Sequence, residues 1–249
     1  MGEISLIVTD ERSWCTGYLF NIFLHDTSAC SEVLLISYDR MPSIIYLWGD
    51  SIMTNVLLAS GSIRRKQLLE QIGLFYDTAP MDIDESVKQG EAPYEYVERL
   101  AREKAIAGLK AHPNCIILAA DTTVELAGDI LGKPQNTLDA QAMLLKLSGS
   151  QHQVLTGVAV AKYCQDEIEI KSQVVVTQVR FLELSLEDIN CYVQTGEPMD
   201  KAGAYGIQGK AALFVEGIKG SFSNVVGLPL AETAKLLEQF GVAIWNNDT

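Results

Sequence analysis

The stretch from Leu57 to Leu69, LLASGSIRRKQLL, constrains this chain more than any other. An apolar run, Val56 to Ala59, is bounded by turn residues, and Ser62 stands where a helix N-cap belongs. Leu68, Leu69 and Ile72 are spaced for a buried face, and Gly73 supplies the stop. The expectation is strand, loop, helix. Arg64 and Arg65 then fall in the first helical turn, where unsatisfied N–H groups already carry partial positive charge and favour an anion. Two cations at that end imply a missing negative group. A phosphate fits, because loop N–H groups, the hydroxyls of Ser60 and Ser62 and two guanidinium forks would converge on it. The plainer alternative is a capped surface helix with its arginines in water, and the loop lacks the Gly-Lys-Ser/Thr of a P-loop.

Further along, Met81 to Ser86 puts Asp82, Asp84 and Glu85 in one polar loop, either simply solvated or offering a carboxylate to a metal. Pro93 suits a first helical residue, and the period to Ala111 is helical, with Val97, Leu100, Ala101, Lys104 and Gly108 on one face. Lys104 is central in that apolar stripe. It either snorkels or points its ammonium inward at an anion. Cys115 to Ala120, CIILAA, reads as an interior strand that stops at Asp121, Thr122 and Thr123, and a carboxylate at the end of a buried strand is well placed for chemistry. A turn at Gly128 and Asp129 would bring Lys133 back near Asp121.

The remaining elements alternate. Thr137 to Leu147 reads as a helix, Gln153 to Tyr163 and Ile168 to Leu182 as an antiparallel pair, and Ser185 with Asp188 as a capping box for a helix to Val193. Asp200 to Gly209, DKAGAYGIQG, is rich in small residues that let backbone approach a ligand. Ala211 to Ile218 reads as a strand, Ser221 to Val226 as a loop with strand-like ends, and Pro229 to Phe240 as a final helix. From Met53 onward this is one α/β unit, and the hairpins call for a mixed sheet.

A net charge of −13 argues against general attraction to nucleic acid or an anionic membrane, so a polyanion must be held by a local basic cluster. Five scattered cysteines with no Cys-x-x-Cys pair point to a reducing cytosol, and three dispersed histidines suggest structural positions. No run is long and apolar enough for a membrane span, and the N-terminus lacks a signal peptide's basic start. Residues 1–52 contain no lysine, show no clear period, and carry seven acidic residues against two arginines, which is −5 of the total. They are an extension without an assigned role. Because Met53 directly precedes the organising strand, translation beginning there is one expectation.

Taken together, LASGSIRR (Leu58 to Arg65), AREKA (Ala101 to Ala105), AADTTV (Ala119 to Val124), LGKP (Leu131 to Pro134), LSGSQHQVLTGVAV (Leu147 to Val160), DKAGAYGIQG and VVGLPL (Val225 to Leu230) resemble the Maf family of small cytosolic nucleoside triphosphate pyrophosphatases. The resemblance runs from about Met53 to Val242. It departs at Ile63, where the family pattern has proline, at a helix-starting position that permits isoleucine.

The resemblance implies an elongated mixed β-sheet flanked by helices, with a central cleft between two lobes, and a homodimer. It implies hydrolysis of a nucleoside triphosphate to the monophosphate and pyrophosphate with Mg²⁺ or Mn²⁺. By the same resemblance Asp121 is the proton acceptor, Arg64, Thr122 and Gln208 occupy specificity positions, Ser60, Arg65, Lys104 and Lys133 hold phosphates, and Glu85 with Asp121 is the metal set. The AGAYGIQG form resembles the branch acting on dTTP, UTP and modified uridine triphosphates. The alternatives are 7-methyl-GTP or another purine nucleotide on the same scaffold, or a nucleotide-binding regulator of septum formation. A carboxylate beside the phosphate-binding cations favours an enzyme over a pure binding module.

Overall fold

The structure is a computed structural model that describes the backbone of residues 33–38 and 41–46, and residues 55–165 and 167–244 in full. The chain divides into two units, Met1–Met53 and Thr54–Thr249. In the first, β1 (Val33–Tyr38) and β2 (Met41–Tyr46) form an antiparallel hairpin registered from Val33 opposite Tyr46 to Tyr38 opposite Met41. Periodicity offered no assignment for these strands. The expectations for Cys15, Cys30 and His25 lie outside the described residues.

The second unit is built on a mixed sheet of seven strands. Its order is β4 (Asp77–Thr78), β3 (Val56–Leu58), β5 (Ile116–Leu126), β7 (Gln151–Cys164), β8 (Glu167–Phe181) and β9 (Val215–Lys219), with β6 (Asp129–Leu131) also pairing with β5. β3 runs parallel to β4 and β5, and the other pairs are antiparallel. The mixed, helix-flanked α/β class read from the sequence is the observed one.

The edge of β5 that faces β3 explains where the site lies. β3 pairs with Ile116 to Leu118, and the hairpin strand β6 pairs with Val124 to Leu126 on the same edge. β5 is continuous across the interval, because its other edge is paired with β7 from Ile117 to Glu125. The expected stop at Asp121 is therefore corrected: the strand runs on, and what stops is its neighbour. Residues 119–123 face an opening in the ladder, with the loop of residues 59–62 on one side and Gly132 and Lys133 on the other.

Helix α2 (Pro93–Ala111) closes one face of the sheet. Beneath it lie Leu57, Ala59, Ile117, Ala119, Ala159 and Ala161, and the four alanines among them admit the helix closely. Two glycines complete the fit. A Cβ on Gly157 would lie 2.3 Å from the carbonyl oxygen of Val97, and one on Gly108 would lie 2.8 Å from Ile117 Cγ2. The alternate residues of the same strands, Val56, Leu58, Leu118 and Ala120 among them, join the main core on the other face. There they meet residues of α1 (Ile63–Gln71), α3 (Thr137–Leu147), α4 (Leu186–Gln194) and α6 (Leu230–Gln239).

Two assignments near the C-terminus differ from expectation. Lys210–Phe214 is a 3₁₀ turn, so β9 begins only at Val215. Ser221 to Val226 is a capped helix, α5 (Phe222–Val226), whose N-cap Ser221 accepts from the Asn224 N–H. Among the described residues, no helix is long and apolar enough to cross a membrane.

Candidate active site

The opening beside β5 continues into a cavity of about 600 Å³. Ser60, Arg64, Arg65, Glu85, Lys104, Asp121, Thr122, Lys133 and Gln208, the nine residues singled out in the sequence, all line it. Side chains alternate along a strand, so Asp121 and Thr122 leave β5 on opposite faces. Both reach the cavity because the missing ladder joins the two faces there.

Arg65 is held on the main-core side. Ser62 caps α1, so the first helical turn delivers the guanidinium to three fixed acceptors. Its Nε donates to the Gly227 carbonyl at 2.8 Å, Nη1 to Ser60 Oγ at 2.9 Å and Nη2 to Thr122 Oγ1 at 3.1 Å. Thr122 is braced by Thr156 Oγ1 at 2.9 Å, which donates in turn to the Asn224 carbonyl at 3.1 Å. Gly227 has φ 124°, a conformation that favours glycine. Burial lowers the Arg65 pKa, partly offset by the charge of Asp121, while Arg64 adds to the lowering. The arginine is thus a preorganised cation with neutral partners, facing the ordinary anion-binding end of a helix.

On the α2 side, the inward-pointing reading of Lys104 holds, and the anion it meets is internal. Its Nζ lies 2.7 Å from Asp121 Oδ1 and 2.6 Å from Glu85 Oε1. Partial burial alone would raise the Glu85 pKa, but the Lys104 hydrogen bond and charge, with Lys133 and Arg65 behind them, hold it below the ordinary value. Glu85 is therefore ionised at neutral pH. Among the described residues no group of three or more His, Cys, Asp or Glu side chains converges. Two carboxylates meeting at one ammonium still match what Mg²⁺ asks of a protein, since that ion commonly takes one or two carboxylates and completes its shell with water and substrate phosphate.

Arg64 leaves the same turn of α1 and donates from Nη1 to Asp200 Oδ2 at 3.0 Å, while Lys201 Nζ lies 2.6 Å from Asp200 Oδ1. Desolvation pushes the Asp200 carboxyl up, but these two cations outweigh it and keep it below its usual range. Gly203, at φ 65°, packs against Val124, where a Cβ would lie 2.8 Å from Val124 Cγ2. The small-residue segment can thereby reach the cavity with Tyr205 and Gln208. Lys133 and Gln208 are both exposed.

Sequence reasoning missed four contributors. Tyr96 lines the cavity and donates to the Glu85 carbonyl at 3.0 Å, and Asp200 pairs with an arginine 136 residues away. Thr156 and Asn224 brace the arginine network from β7 and α5. A sequence signal existed for Thr156, a polar residue in the apolar run from Val154 to Val160, whereas the full burial of Asn224 is visible only in the fold.

A profile described as Maf-like protein matches residues 55–240. A dTTP/UTP pyrophosphatase from Hahella chejuensis is 50% identical over 197 residues, covering 77% of this chain and 95% of the relative. A dTTP/UTP pyrophosphatase from Anaeromyxobacter dehalogenans is 52% identical over 186 residues, covering 75% of this chain and 94% of the relative. Among solved structures, the Ham1 protein of Staphylococcus aureus aligns with 75% of this chain and 97% of its own, at a TM-score of 0.40 and 16% identity, a likeness too distant to carry function.

Proposed function

The chain belongs to the Maf-like family, and we propose that it hydrolyses dTTP, UTP and base-modified pyrimidine triphosphates to the monophosphate and pyrophosphate. The observation that carries this reading is the pairing, across one opening in the sheet, of a neutral-braced arginine with two carboxylates clamped on a lysine.

Triphosphate charge would be met by Arg65, Lys104 and Lys133, with the Ser60 hydroxyl as a further donor. Because Arg65 is already fixed by three acceptors, little reorganisation is needed when charge shifts onto the leaving group. Asp121 would take the proton of the attacking water as its oxygen adds to phosphorus and the pyrophosphate oxygen departs. When a substrate phosphate claims Lys104, the Asp121 carboxylate loses its present partner and becomes free to accept. Glu85 and Asp121 would hold a Mg²⁺ or Mn²⁺ ion, which supplies charge neutralisation and polarisation when bound. Arg64, Thr122 and Gln208 would frame the base and sugar, with Asp200 setting the direction of Arg64.

The test is pyrophosphate release from dTTP, UTP, CTP, 7-methyl-GTP and the common purine triphosphates, with each metal. Release from dTTP and UTP above the others is the expected outcome. Preference for 7-methyl-GTP would keep the chemistry and overturn the assignment of the Asp200 to Gly209 segment, and binding without turnover would favour the regulator.

A further inference from the structure

Glu85 sits in a connection, residues 79–92, that has neither helix nor strand, yet its carboxylate is held within 2.6 Å of Lys104. The bonds that fix this connection come from one face of α2. Tyr96 donates its hydroxyl to the Glu85 carbonyl at 3.0 Å, and one turn further on Arg99 Nη2 donates to the Ser86 carbonyl at 3.0 Å. Successive carbonyls are therefore gripped by residues three apart on the helix, and the Arg99 guanidinium lies 5.7 Å from the centre of the Tyr96 ring.

Arg99 is itself tied down by the far end of the loop. Its Nε and Nη2 fork the Glu91 carboxylate, Nη2 at 2.8 Å, and Nη1 reaches Glu103 at 3.2 Å. The Lys88 N–H donates to the same Glu91 carboxylate at 3.0 Å, which closes the loop on itself. Arg99 and Glu91 side chains are only 15% and 8% exposed, so this ion pair is shielded as surface pairs are not. Arg99 is not among the residues that line the cavity.

We infer that Arg99, with Tyr96, is a positioning residue that latches the Glu85 connection onto α2 and so keeps the Glu85 carboxylate at Lys104. The inference rests on the proposed role of Glu85 at the reacting phosphates. Without the latch the loop swings out, Lys104 pairs with Asp121 alone, and the proton acceptor is tied up.

Two readouts test it. Lys88 is an exposed tryptic site inside the latched loop. In Arg99→Ala, cleavage after Lys88 in the native protein should rise about tenfold or more, since local opening then needs less free energy. Pyrophosphate release should fall about 10- to 100-fold in kcat, the scale expected of a misplaced group. In a Glu85→Gln background the same Arg99 substitution should lower kcat by less than about twofold further, because both changes act through one carboxylate. Arg99→Lys keeps the charge but cannot grip Glu91 and Ser86 together, and should lie between wild type and alanine in both readouts. Should Arg99→Ala fail to fold, Tyr96→Phe carries the test, with the same directions and smaller size.

Unchanged cleavage at Lys88 overturns the latch whatever turnover does, and independent, multiplying losses in the double variant overturn its action through Glu85. Absence of pyrophosphate release from wild type would instead sink the functional reading, while the cleavage measurement still decides the latch.

Discussion

Asp121 carries the most weight at the scale of single residues. In Asp121→Asn the shape and one hydrogen-bonding oxygen survive while proton acceptance is lost, so kcat should fall about 10²- to 10⁴-fold with nucleotide binding retained. Turnover measured beside equilibrium binding checks this, and unchanged turnover would remove Asp121 from the chemistry. His152 gives a prediction about stability. It is buried among Phe181 and Tyr205, with Nε2 2.8 Å from the Tyr205 hydroxyl, and burial pulls its pKa down to about 4. The unfolded chain takes up this proton near pH 6.5, while the fold refuses it until about 4. Stability is therefore full above pH 6.5 and is lost as pH falls through that window, by roughly 3 kcal/mol at the bottom. Urea midpoints at pH 7, 6 and 5 should drop steadily in wild type and stay nearly flat in His152→Gln. Glu91, with its pKa held to about 2 by the Arg99 hydrogen bond, loses its contribution only below its ordinary value of 4.5, under the pH of all three midpoints. Lys104 and Asp121 were legible because each interrupts an apolar pattern. Asp200 and Tyr96 were not, because their partners are fixed by tertiary approach and leave no local periodicity.

Among the elements, the register of α2 on the sheet decides whether the site assembles. Gly157 stands opposite Asp121 in the β5–β7 ladder, and α2 passes so close that a Cβ there would meet the Val97 carbonyl at 2.3 Å. Gly157→Ala should lift the helix that carries Lys104. A cost of about 1–3 kcal/mol is typical of such overpacking, and at this size each kcal/mol lowers Tm by roughly 2–4 °C. Activity should fall along with Tm. Gly217→Ala, where nothing lies within 4 Å of the new Cβ, serves as the control and should change neither. A Gly157→Ala protein with wild-type Tm and turnover would contradict the close approach. Legibility at this scale followed the strength of the period. α2 and α3 were read with their observed ends because apolar spacing, and for α2 also Pro93, marked them. In the run at 211–218 the strand is found only from Val215, because a short apolar stretch does not distinguish a strand from a 3₁₀ turn. The interval in the β5 ladder was invisible for another reason: it is a property of where β3 and β6 end, and β5 itself shows no break.

For the whole molecule, the question is what the chain ahead of Met53 contributes. Among the described residues, those lining the cavity fall between Ala59 and Gly227, and the family match begins at residue 55. Residues 1–52 contribute −5 to a net charge of −13, seven acidic residues against two arginines, so their net charge opposes a triphosphate. Arg64, Arg65, Lys104, Lys133 and Lys201 all line this one cavity, so the cations proposed to meet the triphosphate are local. At ordinary ionic strength the Debye length is about 8–10 Å, which limits how far any charge is felt there. A chain begun at Met53 should therefore melt cooperatively at the same temperature and release pyrophosphate within about twofold of the full-length rate. Its KM should converge with that of the full chain as salt is raised, because any difference left at low salt would be the screened repulsion of the missing acidic residues. A truncated protein that folds but fails to turn over would place a working part of the site in the first 52 residues. One that fails to fold would make that segment part of the core.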